Sequence, residues 1–148
     1  MLDLKSSLLS TGYFIDNEYL EKYCTLVERY KRQPIIRGVT NKHHIKPKAL
    51  FKLLKLSVDD SLLNLVNLPY RTHLLAHYYL CLCTSDPLKY ANQLALMCLI
   101  SRKKLKTSDR LLITNLPLYK DIYEDYKVKK HNNFVLYEDD VDDNKRNS

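Results

Sequence analysis

The chain has 148 residues, of which 45% are apolar and 28% charged, with a net charge of +7. That places it in the ordinary globular range and makes it long enough to bury a hydrophobic core. No stretch approaches the ~18 uninterrupted apolar residues that a membrane span needs. Met1-Leu2-Asp3-Leu4-Lys5 lacks a basic segment followed by an apolar run, so no secretory leader is expected and a cytoplasmic location is.

Two glycines and five prolines against many Leu, Lys and Tyr favour helix. Residues 16–33 carry apolar groups at 19, 20, 23, 26, 27 and 30, the spacing of one helical face, and Asp16 or Asn17 can cap the start. Pro34 ends this helix. Residues 35–45 are rich in β-branched types and read as extended, with Pro47 as the stop. Residues 48–56 read as a short helical turn or a basic loop, and 57–60 as a turn. Leu65-Val66-Asn67-Leu68 reads as a short strand. Pro69 suits the first turn of a helix that runs through His73 and His77 to about Cys83. Asp86-Pro87 opens a helix over about 87–104, which ends in the cluster Arg102-Lys103-Lys104-x-Lys106. A last helix is expected over about 117–130. The expected class is α+β, mainly helical, in one domain over 1–137.

Charge is unevenly spread. Residues 138–148 hold five acidic and two basic side chains, a net −3, and read as a disordered acidic tail. The remainder holds 22 basic and 12 acidic residues, +10, which suits a polyanionic partner such as nucleic acid as well as a merely soluble basic surface. Cys24, Cys81, Cys83 and Cys98 form no Cys-x2-Cys pair and read as reduced thiols. Most of the 12 tyrosines fall on helical stripes and read as core.

Four of the five histidines form two clusters, His43-His44 and His73-x3-His77. Residues four apart on a helix lie nearly one above the other, so His73 and His77 point the same way. Leu75, Tyr78, Tyr79 and Leu82 centre on the opposite face, which is expected to pack. Neighbours at a strand end project to opposite sides, so His43 and His44 divide into one metal ligand and one general base. Three neutral imidazoles with open positions suit Zn, Ni, Co or Mn better than Mg.

His43-His44-Ile45-x-Pro47, Asn64-Leu65-Val66-x-Leu68 and His73-x3-His77 together resemble the HNH endonuclease signature, the ββα-metal fold found in colicin-type DNases and in phage and mobile-element enzymes. The resemblance is strong over about 39–83 and weaker over 16–130. There Asn17-Glu18-Tyr19-Leu20-x2-Tyr23 and Leu118-Tyr119-x3-Tyr123-Glu124 resemble the flanking helices of phage-type members. It implies a ββα-metal core flanked by N- and C-terminal helices, with His43, His73 and His77 holding a divalent ion. His44 is then the general base that deprotonates water, and Asn64 fixes the loop that positions it. The implied activity is hydrolysis of DNA, with RNA as an alternative, to 5′-phosphate and 3′-hydroxyl ends by a monomer or homodimer. Lys42, Lys46, Lys48 and Arg71 flank the site as candidates for gripping the backbone. Arg102, Lys103, Lys104 and Lys106 are candidates for extending that footprint. The chain departs from many relatives in having Leu- and Lys-rich residues 48–63 where they have a Gly-rich turn, and in lacking Cys-x2-Cys zinc ribbons. The rival readings are a zinc-stabilised ββα module that binds nucleic acid without cutting it, and a degenerate member acting as a protein-interaction domain.

Overall fold

The computed structural model describes residues 3–33 and 38–133. Within them the elements run α1 (Leu4–Leu9), α2 (Glu18–Lys31), β1 (Thr40–His44), α3 (Lys48–Leu53), a 3₁₀ turn (Leu62–Asn64), β2 (Leu65–Pro69), α4 (Tyr70–Cys83), α5 (Leu88–Ile100), α6 (Thr107–Thr114) and α7 (Tyr119–His131). The class is α+β and mainly helical, with one small antiparallel sheet. None of these helices is long and apolar enough to cross a membrane. The acidic tail at 138–148 and residues 35–37 of the expected extended run lie outside the described residues.

Asn17 caps α2, its side-chain oxygen accepting from the backbone N–H groups of Tyr19 and Leu20, while its amide nitrogen donates to Leu82 O of α4 at 2.9 Å. One residue therefore starts a helix and fixes where it sits. β1 and β2 pair with Asn41 opposite Leu68, His43 opposite Val66 and His44 opposite Leu65. The register buries His43, Ile45, Val66 and Leu68 on one face, the period of two expected of a half-buried strand.

Helix α4 is the centre of the molecule. Its Ala76, Leu80 and Cys83 join a core of α1, α2 and the sheet, whereas Leu74, Tyr78 and Cys81 join a second core with Leu96, Leu99, Ile113 and Ile122. This corrects the expected face. Tyr78 is buried, but Leu75, Tyr79 and Leu82 are only half-buried, and the histidines stand between two packed stripes rather than opposite a single one. A helix that packs on both flanks loses the one-sided pattern from which a face is read.

Helix α3 fills residues 48–53 and ends in a C-terminal cap in which Leu56 N donates to Phe51 O and Lys55 N to Lys52 O, with Lys55 at φ +58°. Helix α5 stops at Ile100, four residues short of the expected end. Arg102-Lys103-Lys104 form an exposed turn instead, since that run of cations has no acidic side chain among it to offset repulsion. Helices α1 and α6 are additions to the expected set.

Candidate metal centre and its partner histidine

β1 and α4 bring His43, His73 and His77 together, with one nitrogen from each within 4.8 Å of the other two. The ring centroids form a nearly equilateral triangle, 5.2, 5.1 and 4.9 Å on a side. His73 Nε2 and His77 Nε2 are 3.2 Å apart. Two nitrogens bound to one tetrahedral ion at about 2.0–2.1 Å would be about 3.3 Å apart. The helical pair is thus already spaced as neighbouring ligands, and a nitrogen of His43 lies within 4.8 Å of both.

Two of the three rings are held from behind. The Tyr23 hydroxyl donates to Ile45 O at 2.6 Å, so its oxygen is left to accept from His43 Nε2–H at 2.8 Å. That fixes the His43 tautomer and leaves Nδ1 with the free lone pair. Burial pushes the Tyr23 phenol well above its usual range, which keeps the hydroxyl protonated. His73 Nδ1 meets the Asn41 amide at 3.1 Å. That amide serves either tautomer, its nitrogen donating to a bare Nδ1 or its oxygen, once turned, accepting from Nδ1–H. His77 Nδ1 is buried with no hydrogen-bond partner.

Burial also decides the protonation of the cluster. It holds His43 well below the usual histidine range, with the charges of His77, His73 and His44 adding to the effect. It brings His73 down to about 4, helped by Arg102, and His77 to about 3, helped by His73. Neutral imidazole is the form that ligates a metal. Three neutral imidazoles within reach of one another fit a divalent ion of the borderline-soft kind, and these three residues can bind one.

His44, on the other side of β1, takes no part in that triangle. Its Nε2 lies 2.7 Å from Asp60 Oδ1, and its side chain is 17% exposed. With Nε2–H donated to the carboxylate, Nδ1 is the nitrogen left to accept a proton. Asn64 holds this arrangement from below. Its oxygen accepts from Lys46 N at 2.8 Å, and its nitrogen donates to Lys46 O at 3.2 Å and Asp59 O at 2.9 Å. The end of β1 and the turn that carries Asp60 are clamped to one side chain.

All four histidines line one cavity of about 240 Å³, with Lys42 and Lys48 beside them and α5 contributing Ala91 and Ala95. Lys42, Lys48 and Arg71 are exposed, whereas Lys46 is half-buried and lines a neighbouring cavity with Asp59 and Asn64. Sequence reasoning missed Tyr23, Asn41, Asp60 and the α5 wall. Compared with protein-family models, curated proteins and solved structures, the chain matches none of them.

Proposed function

We propose that the chain is a metal-dependent endonuclease of the HNH type, with a ββα-metal core formed by β1, β2 and α4, that hydrolyses DNA phosphodiester bonds. One observation carries the reading: three neutral imidazoles converge within 4.8 Å, and a fourth, paired with a carboxylate, opens onto the same cavity. A structural zinc site closes its tetrahedron with four protein ligands. Among the described residues this cluster has three, and His44 is engaged elsewhere, which favours the catalytic reading over a zinc-stabilised binding module.

His43, His73 and His77 would hold the ion, with Zn, Ni, Mn or Co suiting the donors better than Mg. When bound, a divalent ion there supplies positive charge to the nonbridging and leaving oxygens of a phosphodiester. His44 Nδ1 takes the proton from the attacking water, and Asp60 stabilises the imidazolium that results. Lys42 and Lys48 bind the phosphates on either side of the scissile bond. Water attack with departure of the 3′ oxygen leaves 5′-phosphate and 3′-hydroxyl ends.

The test is nicking of supercoiled plasmid across Mn²⁺, Ni²⁺, Zn²⁺, Co²⁺ and Mg²⁺, with end-labelled products. His44→Ala is expected to lose roughly 10²–10⁴ in rate, the contribution of a general base, while still binding one metal equivalent. Undiminished cutting by that variant removes His44 from the reaction. Absence of cutting by the wild type with every metal removes the enzyme.

A further inference from the structure

Helix α4 carries a second concavity beside the histidines, about 310 Å³ in volume, between Tyr70 and Leu74 on one side and the turn after α5 on the other. Its floor is Leu74 and Leu99, both buried, and its walls are the half-buried Tyr70 and Leu105. Arg102, Lys103 and Lys104 complete its lining, which contains no acidic residue. These cations stand on a built turn. Arg102 N donates to Leu99 O and Leu105 N to Arg102 O, and the Arg110 guanidinium donates to Ile100 O at 3.0 Å and Arg102 O at 3.3 Å.

The lining specifies its ligand. An apolar floor with an aromatic wall receives a flat, weakly polar group, and three unopposed cations receive negative charge beside it. A phosphate alone would leave the apolar floor unused, and seating it there would strip its hydration. Paired bases are stacked inside a duplex, which offers its phosphates outward and is read by protein elements that protrude into its grooves. A concave site with a deep apolar base is the opposite shape.

We propose that this cavity takes an unpaired nucleobase, with Arg102, Lys103 and Lys104 holding the adjoining phosphates, so that the preferred substrate is a single strand or a duplex with an unpaired nucleotide. This rests on the endonuclease reading for the placement of the scissile bond. Tyr70 lies three residues before His73, a rise of about 4.5 Å along α4, and Leu74 is the residue after it. A base seated against Tyr70 therefore puts the neighbouring backbone at the histidine cluster. The preference arises because stacking on an aromatic ring tolerates any base but requires that base to be out of the helix.

Binding of the full chain is measured in EDTA, which separates it from cutting. The probes are fluorescein-labelled DNAs: a 10-nucleotide single strand, the matched duplex, and the same duplex with one bulged nucleotide. The wild type is expected to bind the single strand and the bulged duplex at least tenfold more tightly than the matched duplex. Tyr70→Ala, and Leu105→Trp, which fills the cavity, are expected to lose roughly 5- to 100-fold on the single strand and the bulged duplex and little on the matched duplex. The exposed Lys103→Glu leaves the fold intact and weakens binding to all three. Equal wild-type affinity for all probes, or single-strand binding unchanged in folded Tyr70→Ala and Leu105→Trp, overturns the proposal even if the protein cuts DNA. The expected pattern without cutting by any metal would leave the pocket standing and remove the nuclease.

Discussion

Tyr23→Phe removes one oxygen and keeps the ring, so it tests whether the buried hydroxyl orients the metal centre. Tyr23 has no solvent exposure, and the groups it joins, His43 and Ile45, are 3% and 4% exposed. The substitution opens no large void, since the ring and its edge-on contact with His43, 5.9 Å between centroids, remain. It leaves the Ile45 carbonyl and the His43 Nε2–H buried without this partner. Each such group costs about 1–3 kcal/mol, so a loss of about 2–6 kcal/mol is expected. For a chain of this size that lowers Tm by roughly 6–18 °C. The same deletion frees His43 to rotate and to change tautomer, and loss of such a supporting hydrogen bond weakens metal binding by about 10- to 100-fold. Urea unfolding in EDTA reads the first effect. Competition with a chromophoric chelator, at a temperature where both proteins are folded, reads the second. Reduced stability with metal affinity unchanged within about twofold would refute the orienting role and reduce Tyr23 to a core residue.

Three further outcomes are expected. Asp60→Asn keeps the shape but removes the carboxylate charge from His44. Cleavage should fall roughly tenfold, a part of what a general base supplies, with metal affinity unchanged by chelator competition. Lys55 sits at φ +58°, where a side chain is strained and glycine is not. Lys55→Gly should therefore raise unfolding free energy by about 0.5–1 kcal/mol in urea titration, with cleavage unaltered. In the metal-free protein, His73 and His77 are held neutral down to about 4 and about 3 by burial, against an ordinary value near 6.5. The unfolded chain thus binds more protons below pH ~6.5. Stability is full above that pH and falls by up to about 1.4 kcal/mol per unit for each histidine as pH drops toward 4 and then 3. A flat profile from pH 7 to 4 in EDTA would show that these rings are not desolvated.

The local elements were readable in the chain, and their partners across space were not. The i, i+4 pair His73 and His77 announces itself because helical periodicity is a property of neighbouring residues, and the strand around His43 is bounded by Pro47 in the same way. Asn17 is one of the two caps the sequence offers for α2, and residues 65–68 lie in β2, whereas Pro69 ends β2 and caps α4 instead of entering its first turn. Tyr23 is legible as core from its stripe with Leu20 and Val27, yet nothing within twenty residues says that its hydroxyl meets His43. Asp60 sits in a stretch that reads only as a turn, and its pairing with His44 depends on how Asn64 folds that turn back. The packing of α4 was misjudged because two separate cores claim two flanks of one helix, and each hides the period of the other. Helices α1 and α6, six and eight residues long, are too short for periodicity to stand out.

Adjacent histidines on a strand exchange their surroundings by a single slip. If β1 moved by one position against β2, every side chain on it would cross to the opposite face. His44 would then point toward α4 and His43 away from it, so that a different imidazole faced His73 and His77 without any change in composition. Asn64, bonded on both edges of Lys46 and with its own carbonyl taken by Ile45 N, is the latch that forbids the exchange. Which imidazole faces α4 is thus written in alignment as much as in residue type.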